Sequence, residues 1–295
     1  MALVVNNATV ATGMSPVVER ALYADAVFMD GVTFTSKFSI GNVGQIQVVK
    51  YNPDGTVQPT TPGSDFNDSA YTNNVIDINC NNGFQKSQKV PQYYVNTMPV
   101  SLLVEESWNL TESVRIGRQK TGLANLVHEG TSVSGAVVTA SNIKDIILNQ
   151  RAVLREKNCT PDVIICSVAV YTEMLKYAGT EFIPQTNESI VSTGRVGKWM
   201  GILWVECSQL DGASTYKYID QSGDTQTQSM ANVDFILYDH EAFSIIDRLN
   251  LLRVLDSEHF AGSKIQEEIA TGFKVTNPSC VTVYKHTTAS NGASG

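Results

Sequence analysis

The sequence predicts an α+β fold in which a long β-hairpin and a helix precede an α/β lobe. Three observations carry this. Two runs of alternating polar and apolar residues, 44–51 and 75–79, flank a stretch crowded with turn formers. Helical periodicity begins only after Pro99. From residue 142 onward a helix, an unbroken apolar run and a second helix follow one another, which is an α/β pattern.

Residues 1–30 mix polar residues with brief helical hints and read as an arm. Val32-Thr33-Phe34-Thr35-Ser36-Lys37-Phe38 is rich in strand formers. Gly44 to Tyr51 and Val75 to Asn79 then form the two sides of a hairpin. Between them lie Asn52-Pro53-Asp54-Gly55, Pro59, Pro62-Gly63 and Ser64-Asp65-Phe66, all turn chemistry. Such a tip has too few apolar side chains to build its own core. A hairpin is marginal in water unless it lies on something, and a neighbouring copy of the chain would serve.

Asn109 with Glu112 has the form of a helix N-cap, followed by Ile116, Leu123, Ala124 and Val127 and closed by Gly130. The stretch Val100 to Trp108 is either a separate turn or part of that helix. The clearest helix spans 142–157, capped by Ser141, with Ile143, Ile146, Ile147, Gln150 and Leu154 on one face. Asn158 ends it. Pro161 to Cys166 reads as a buried strand. Ser167 caps the next helix, with Val168, Tyr171, Met174 and Leu175 on one face and Gly179 at its end. Strands are predicted at 202–207, 216–219 and 233–238. A short helix through Ala242, Ile245 and Ile246 and strands at 249–256 and 272–285 follow. His286 to Gly295 is a polar, flexible tail.

Composition narrows the function. The chain has 295 residues, 42% hydrophobic and 17% charged, so it can bury a core. Its net charge is −8, and the densest basic stretch is only Arg115, Arg118 and Lys120. A protein that grips nucleic acid needs clustered cations, so a dedicated binder is not expected; a container is compatible. Five cysteines without CxxC spacing read as scattered reduced thiols of a cytosolic protein, with Cys166 as core filler. The start lacks a signal-peptide pattern, and no apolar run approaches the roughly 20 residues of a spanning helix, so no membrane association is expected.

No catalytic, cofactor or metal motif stands out. The four histidines lack HxxxH or HExxH spacing. His240, between Asp239 and Glu241, reads as a solvated turn. Gly194-Arg195-Val196-Gly197-Lys198-Trp199 has the wrong spacing for a phosphate loop, with Trp199 where a hydroxyl should hold magnesium. GxSxG is absent. No enzyme activity and no cofactor are expected.

The segment Gly194 to Val205 resembles the glycine-flanked turn and strand of phage coat proteins. Asp239-His240-Glu241-Ala242-Phe243 is similar to that family's short helix, and Thr271 to Val283 to its final strand. With the order of elements, the chain resembles the tailed-bacteriophage major capsid protein, the Hong Kong-phage-type fold, over about residues 30–285. The resemblance implies an N-terminal arm (1–30), a strand and extended-loop hairpin (31–82), and a peripheral domain with a spine helix (83–139). It further implies an axial domain (140–248), returning peripheral strands (249–285) and a flexible tail (286–295). It implies a shell subunit forming hexamers and pentamers around double-stranded DNA without specific binding. The chain would work with a portal protein and, since the arm is too short for an assembly domain, a separate scaffolding protein. It would be built in the bacterial cytoplasm and end in the virion. The tip residues Asp54, Gly55, Pro62, Gly63, Asp65 and Phe66 would contact the adjacent subunit. Two rivals are an encapsulin-like compartment shell and, from another class, a soluble α/β enzyme.

Overall fold

The computed structural model describes residues 27–28, 45–51, 73–97, 102–181, 198–199 and 201–287. The predicted strand at 32–38 lies outside them, as do residues 1–26 of the predicted arm and 288–295 of the tail.

The described elements run β1 (Gln45–Tyr51), β2 (Asn73–Asn79), β3 (Asn82–Pro91), α1 (Gln92–Thr97), α2 (Leu102–Glu129) and β4 (Thr131–Gly135). Next come α3 (Ile143–Glu156), β5 (Val163–Ser167), α4 (Val168–Glu181), β6 (Lys198–Trp199), β7 (Ile202–Cys207), β8 (Thr215–Ile219) and β9 (Thr225–Ser229). The last strands are β10 (Val233–Tyr238), β11 (Phe243–Asp256), β12 (Gly262–Val275) and β13 (Val281–His286).

The main lobe is a mixed six-stranded sheet in the order β4-β13-β10-β5-β7-β6. All of β5 and all of β10 are buried, as largely apolar strands at the middle of a covered sheet must be. β5 and β7 run parallel, so the chain must cross over between them, and α4 makes that crossing. Helix α3 buries Ile143, Ile147 and Leu154, with Ile146 packed beside them. Asn158 ends it in the left-handed region, at φ 60.

A second, three-stranded antiparallel sheet has the order β11-β12-β3. Helix α2 links the two sheets. At 28 residues it is about 42 Å long. Its first half packs Leu110 with Val90 of β3 and Ile265 of β12, flanked by Leu102 and Leu103. Its second half sends Leu123, Ala124, Leu126 and Val127 into the main core. Gly122 is required between the two: a Cβ there would lie 2.8 Å from the Phe28 ring and 2.9 Å from the Phe273 ring. The end of the helix is pinned by Glu129, whose carboxylate takes the Lys274 ammonium at 3.0 Å and accepts the Val275 N–H at 2.8 Å.

Several expectations are corrected. The long helix begins at Leu102, so Asn109 is interior and caps nothing; Ser107 and Ser113 donate to the carbonyls four residues earlier. Ser141 does not cap α3; Asn142 stands at the boundary, and its Oδ1 accepts from Thr139 N. Ser167 does cap α4, accepting from Val170 N at 3.3 Å. The buried face of α4 is Val170, Tyr171 and Met174, while Val168 and Leu175 are exposed, and the helix runs past Gly179. The short helix after β10 is only His240–Ala242; Ile245 and Ile246 belong to β11, whose pairing with β12 outweighs their helical spacing. The expected strand 272–285 is two strands broken by a turn at Pro278–Cys280. Not all thiols are free: Cys159 and Cys280 form a disulfide, with Cα atoms 5.4 Å apart, joining the end of α3 to the turn before β13. Val27 and Phe28, expected in the arm, sit in the main core; Val27 N donates to Gln119 Oε1 and the Phe28 ring lies 5.6 Å from that of Phe243.

Candidate assembly surface

The first two strands form the predicted hairpin. They pair antiparallel over seven positions, from Gln45↔Asn79 to Tyr51↔Asn73, and in the described residues this two-stranded sheet pairs with no other. Its exposure is graded. Along one face of β2, Ile78 at the root is fully buried and Ile76 only half-buried, while on the opposite face Val75 is 51% exposed. The hairpin therefore leaves the body of the protein within a few residues. The predicted tip contacts Asp54, Gly55, Pro62, Gly63, Asp65 and Phe66 fall between Tyr51 and Asn73, outside the described residues.

A projecting two-stranded ribbon cannot hold its own direction, so its root has to be fixed by something else. Here the fixing groups are side-chain amides. Gln221, in the turn between β8 and β9, accepts the Asn79 N–H on Oε1 at 2.7 Å. Its backbone carbonyl takes the Asn79 side-chain amide at 2.9 Å, and its own Nε2 donates to the Phe273 carbonyl at 2.9 Å. Asn81 donates to the Asp220 carbonyl at 3.1 Å. Asn82, only 4% exposed, pairs with both backbone groups of Ile219: its Nδ2 donates to the carbonyl at 3.1 Å and its Oδ1 accepts the N–H at 2.8 Å. The amide copies the donor–acceptor pair of a strand, so it extends the edge of β8 onto the hairpin root.

The clamp is itself well supported. Asp220 accepts from Ser222 N, Asp224 N and Gln226 Nε2, each at 2.9 Å, and Gly223 adopts φ +93 to close the turn. These bonds, that of the Gln226 amide first, hold the Asp220 carboxyl below its ordinary range. Below the root, the backbone of Asn79 rests on Gly272 of β12, where a Cβ would stand 2.9 Å from the Asn79 oxygen. Polar contacts continue to α2. Thr121 Oγ1 donates to the Lys217 carbonyl, and the Arg118 guanidinium grips both oxygens of Asp247 at 3.1 and 2.7 Å. Asp247 also accepts from Thr271 Oγ1 at 2.7 Å, at a bulge where β11 carries one residue more than β12.

A second exposed feature is β11, which among the described residues is an edge of the three-stranded sheet. Leu251, Leu252, Val254 and Leu255 are 37–52% exposed along it. Unpaired edges with apolar side chains invite another chain.

The Asp162–Asp239–His240 group, where catalytic chemistry would be sought first, is occupied with holding loops. Asp162 accepts His240 N at 2.8 Å and meets His240 Nδ1 at 2.5 Å; Asp239 accepts Glu241 N and Thr160 N. The group ties the entry of β5 to the exit of β10. Among the described residues, no helix is long and apolar enough to cross a membrane.

The root residues Asn79, Asn81, Asn82 and Gln221 were not singled out in the sequence. The cluster Asn79-Cys80-Asn81-Asn82-Gly83 was a visible signal, but its partners are about 140 residues away.

Set beside solved structures, this arrangement is an α+β fold of the phage-capsid class. It matches the capsid structure of the cyanophage P-SCSP1u at TM-score 0.71 and 11% identity, over 94% of this chain and 93% of that one. The acidic stable capsid structure of Helicobacter pylori bacteriophage KHP30 matches at TM-score 0.67 and 11% identity, covering 95% of this chain and 96% of that one. A structure from Mycobacterium phage Che8 matches at TM-score 0.66 and 17% identity, over 92% of this chain and 95% of that one. No family model and no curated protein matches the sequence.

Proposed function

We propose that this chain is the major capsid protein of a tailed bacteriophage: a structural subunit that assembles with copies of itself into the hexamers and pentamers of an icosahedral head. The observation that carries the reading is a hairpin clamped at its root, whose described strands pair with no other sheet, on a fold that matches capsid structures over nearly their whole length. A ribbon that leaves its own subunit gains its stabilising contacts from the next one. The edge strand β11 offers a second contact, where Leu251, Leu252, Val254 and Leu255 would be covered. The tip residues Asp54, Gly55, Pro62, Gly63, Asp65 and Phe66 would lie on the adjacent subunit. The net charge of −8 suits a wall that encloses double-stranded DNA without gripping it. A separate scaffolding protein would set the size of the head, and a portal protein would occupy one vertex. Assembly would take place in the host cytoplasm, and the role would be structural rather than catalytic.

Electron microscopy of the purified full-length chain tests this, alongside a variant lacking residues 53–66. The full chain should give capsomers, tubes, sheets or shells, and the deletion should stay folded by circular dichroism but close no shells. A full chain that stays monomeric at high concentration under crowding refutes the reading. Normal, equally heat-stable shells from the deletion refute the role of the tip.

A further inference from the structure

One cluster of metal-ligating side chains lies away from both the hairpin and the His240 turn. Asp211 stands in the loop after β7, Asp234 in β10 and His286 at the end of β13. Each brings one ligand atom, and all three atoms lie within 4.8 Å of one another. The placement of Asp234 is unusual. Every other residue of β10 is apolar or aromatic, and the whole strand is buried. The register against β13 slips between Val233 and Phe235, so Asp234 is the extra residue of a bulge, the device by which a strand re-aims one side chain.

The cluster holds a buried carboxylate oxygen that its neighbours leave unsatisfied. The Asp234 side chain is 4% exposed and that of His286 14%. Asp234 Oδ1 lies 2.8 Å from His286 Nδ1, but Asp234 Oδ2, also buried, has no hydrogen-bond partner among the described residues. Asp211 adds a second carboxylate within the same cluster. A protonated imidazole would offset one carboxylate and still leave Oδ2 unsatisfied. A divalent ion would satisfy both carboxylates at once and take the neutral imidazole as its third ligand.

We propose that Asp211, Asp234 and His286 form a binding site for one divalent transition-metal ion, of which zinc is the best match. One nitrogen and two oxygens suit an ion that accepts imidazole as well as carboxylate; magnesium and calcium prefer all-oxygen shells. Three protein ligands leave a coordination position for water. The ion would staple the loop after β7 to the neighbouring strands β10 and β13, and so would stabilise the sheet rather than catalyse.

Isothermal titration calorimetry of the EDTA-treated full-length chain with zinc chloride tests this, in parallel with thermal melts. The wild type should bind one zinc per chain and melt several degrees higher with it, and magnesium chloride should do neither. Asp234→Asn and His286→Gln should both lose the binding and the shift. His240→Gln, at the other histidine–aspartate cluster, should keep both. Absence of zinc binding by the folded wild type overturns the proposal. So does binding that survives in both Asp234→Asn and His286→Gln, or that is lost in His240→Gln alone. Because Asp234→Asn is nearly isosteric and His286 lies at a strand end, a variant that fails to fold can be replaced by the other.

Discussion

Replacing Asn82 by alanine would remove the amide that pairs with both backbone groups of Ile219 at the hairpin root. Asn82 is 4% exposed, and its bonds to Ile219 measure 3.1 and 2.8 Å. A hydrogen bond of this kind contributes about 1 kcal/mol net, and a buried group left unpaired costs about 1–3 kcal/mol. Solvent entering the space vacated by the side chain would recover part of that cost, so the expected loss is about 2–3 kcal/mol. For a chain of 295 residues that corresponds to a fall in Tm of roughly 3–5 °C. Urea denaturation of the unassembled subunit, followed by fluorescence, measures the loss. Gln85→Ala, on an exposed position of β3, is the control and should stay within about 0.5 kcal/mol of wild type. Hydrogen exchange at the Ile219 amide should accelerate in Asn82→Ala, because its acceptor is gone. The same variant should form fewer closed shells at equal subunit concentration, since the hairpin direction is then held only by the remaining contacts of Asn79 and Asn81. If Asn82→Ala matches Gln85→Ala in stability and in Ile219 exchange, the Asn82 amide does not clamp the root.

Two further substitutions test the helix that links the sheets. Glu129→Ala removes the carboxylate that accepts the Val275 N–H and the Lys274 ammonium, and should cost about 2 kcal/mol in chemical denaturation; a loss below that of an exposed control would show the contact is dispensable. Glu267, on β12 facing α2, is 4% exposed and has Oε2 unpartnered, and burial pushes its carboxyl up against the opposing Thr111 hydroxyl. Its folded form holds the proton at higher pH than its unfolded form, so its stabilising contribution is complete below the ordinary carboxylate range of about 4.3 and is lost as pH rises through the raised value. Glu267→Gln should therefore be more stable than wild type at pH 7.5, by about 1 kcal/mol, with the gap closing near pH 4. Melts at the two pH values decide it, and an equal or lower Tm for the variant at pH 7.5 would contradict the sign.

Much of the fold could be read in the chain because the controlling forces were local. The breaker-rich stretch after Tyr51 and the alternation on either side announced the hairpin, and β1 and β2 fall within a residue or two of the predicted runs. The apolar stripe of α3 and the largely apolar runs of β5 and β10 reflect burial on one face or on both, and periodicity reports burial directly. What the sequence concealed was held by partners far along the chain. β3 and β9 are strands of mostly polar residues, which no hydrophobic pattern marks; β3 exists because its backbone pairs with β12, and β9 because it pairs with β8. Ile245 and Ile246, spaced for a helix, became strand because β12 supplied an edge for them.

The same division separates the function from its site. The order of elements was enough to suggest a shell subunit, since that order follows from local propensity. Composition marks the tip residues, and composition says only that the segment cannot fold on itself. Only the tertiary structure revealed that the hairpin is steered from its root, because Asn82 and Ile219 are 137 residues apart and meet through amide geometry that leaves no periodic trace. Asp211, Asp234 and His286 escaped motif reading for the same reason: a ligand set drawn from a loop and two neighbouring strands has no spacing to recognise. The sequence by itself determined the hairpin, the helices and the apolar strands, through hydrophobic period and turn chemistry. The tertiary structure decided which polar side chains act together, because hydrogen bonds and charges depend on distances of a few ångströms that are set only after the sheets have packed.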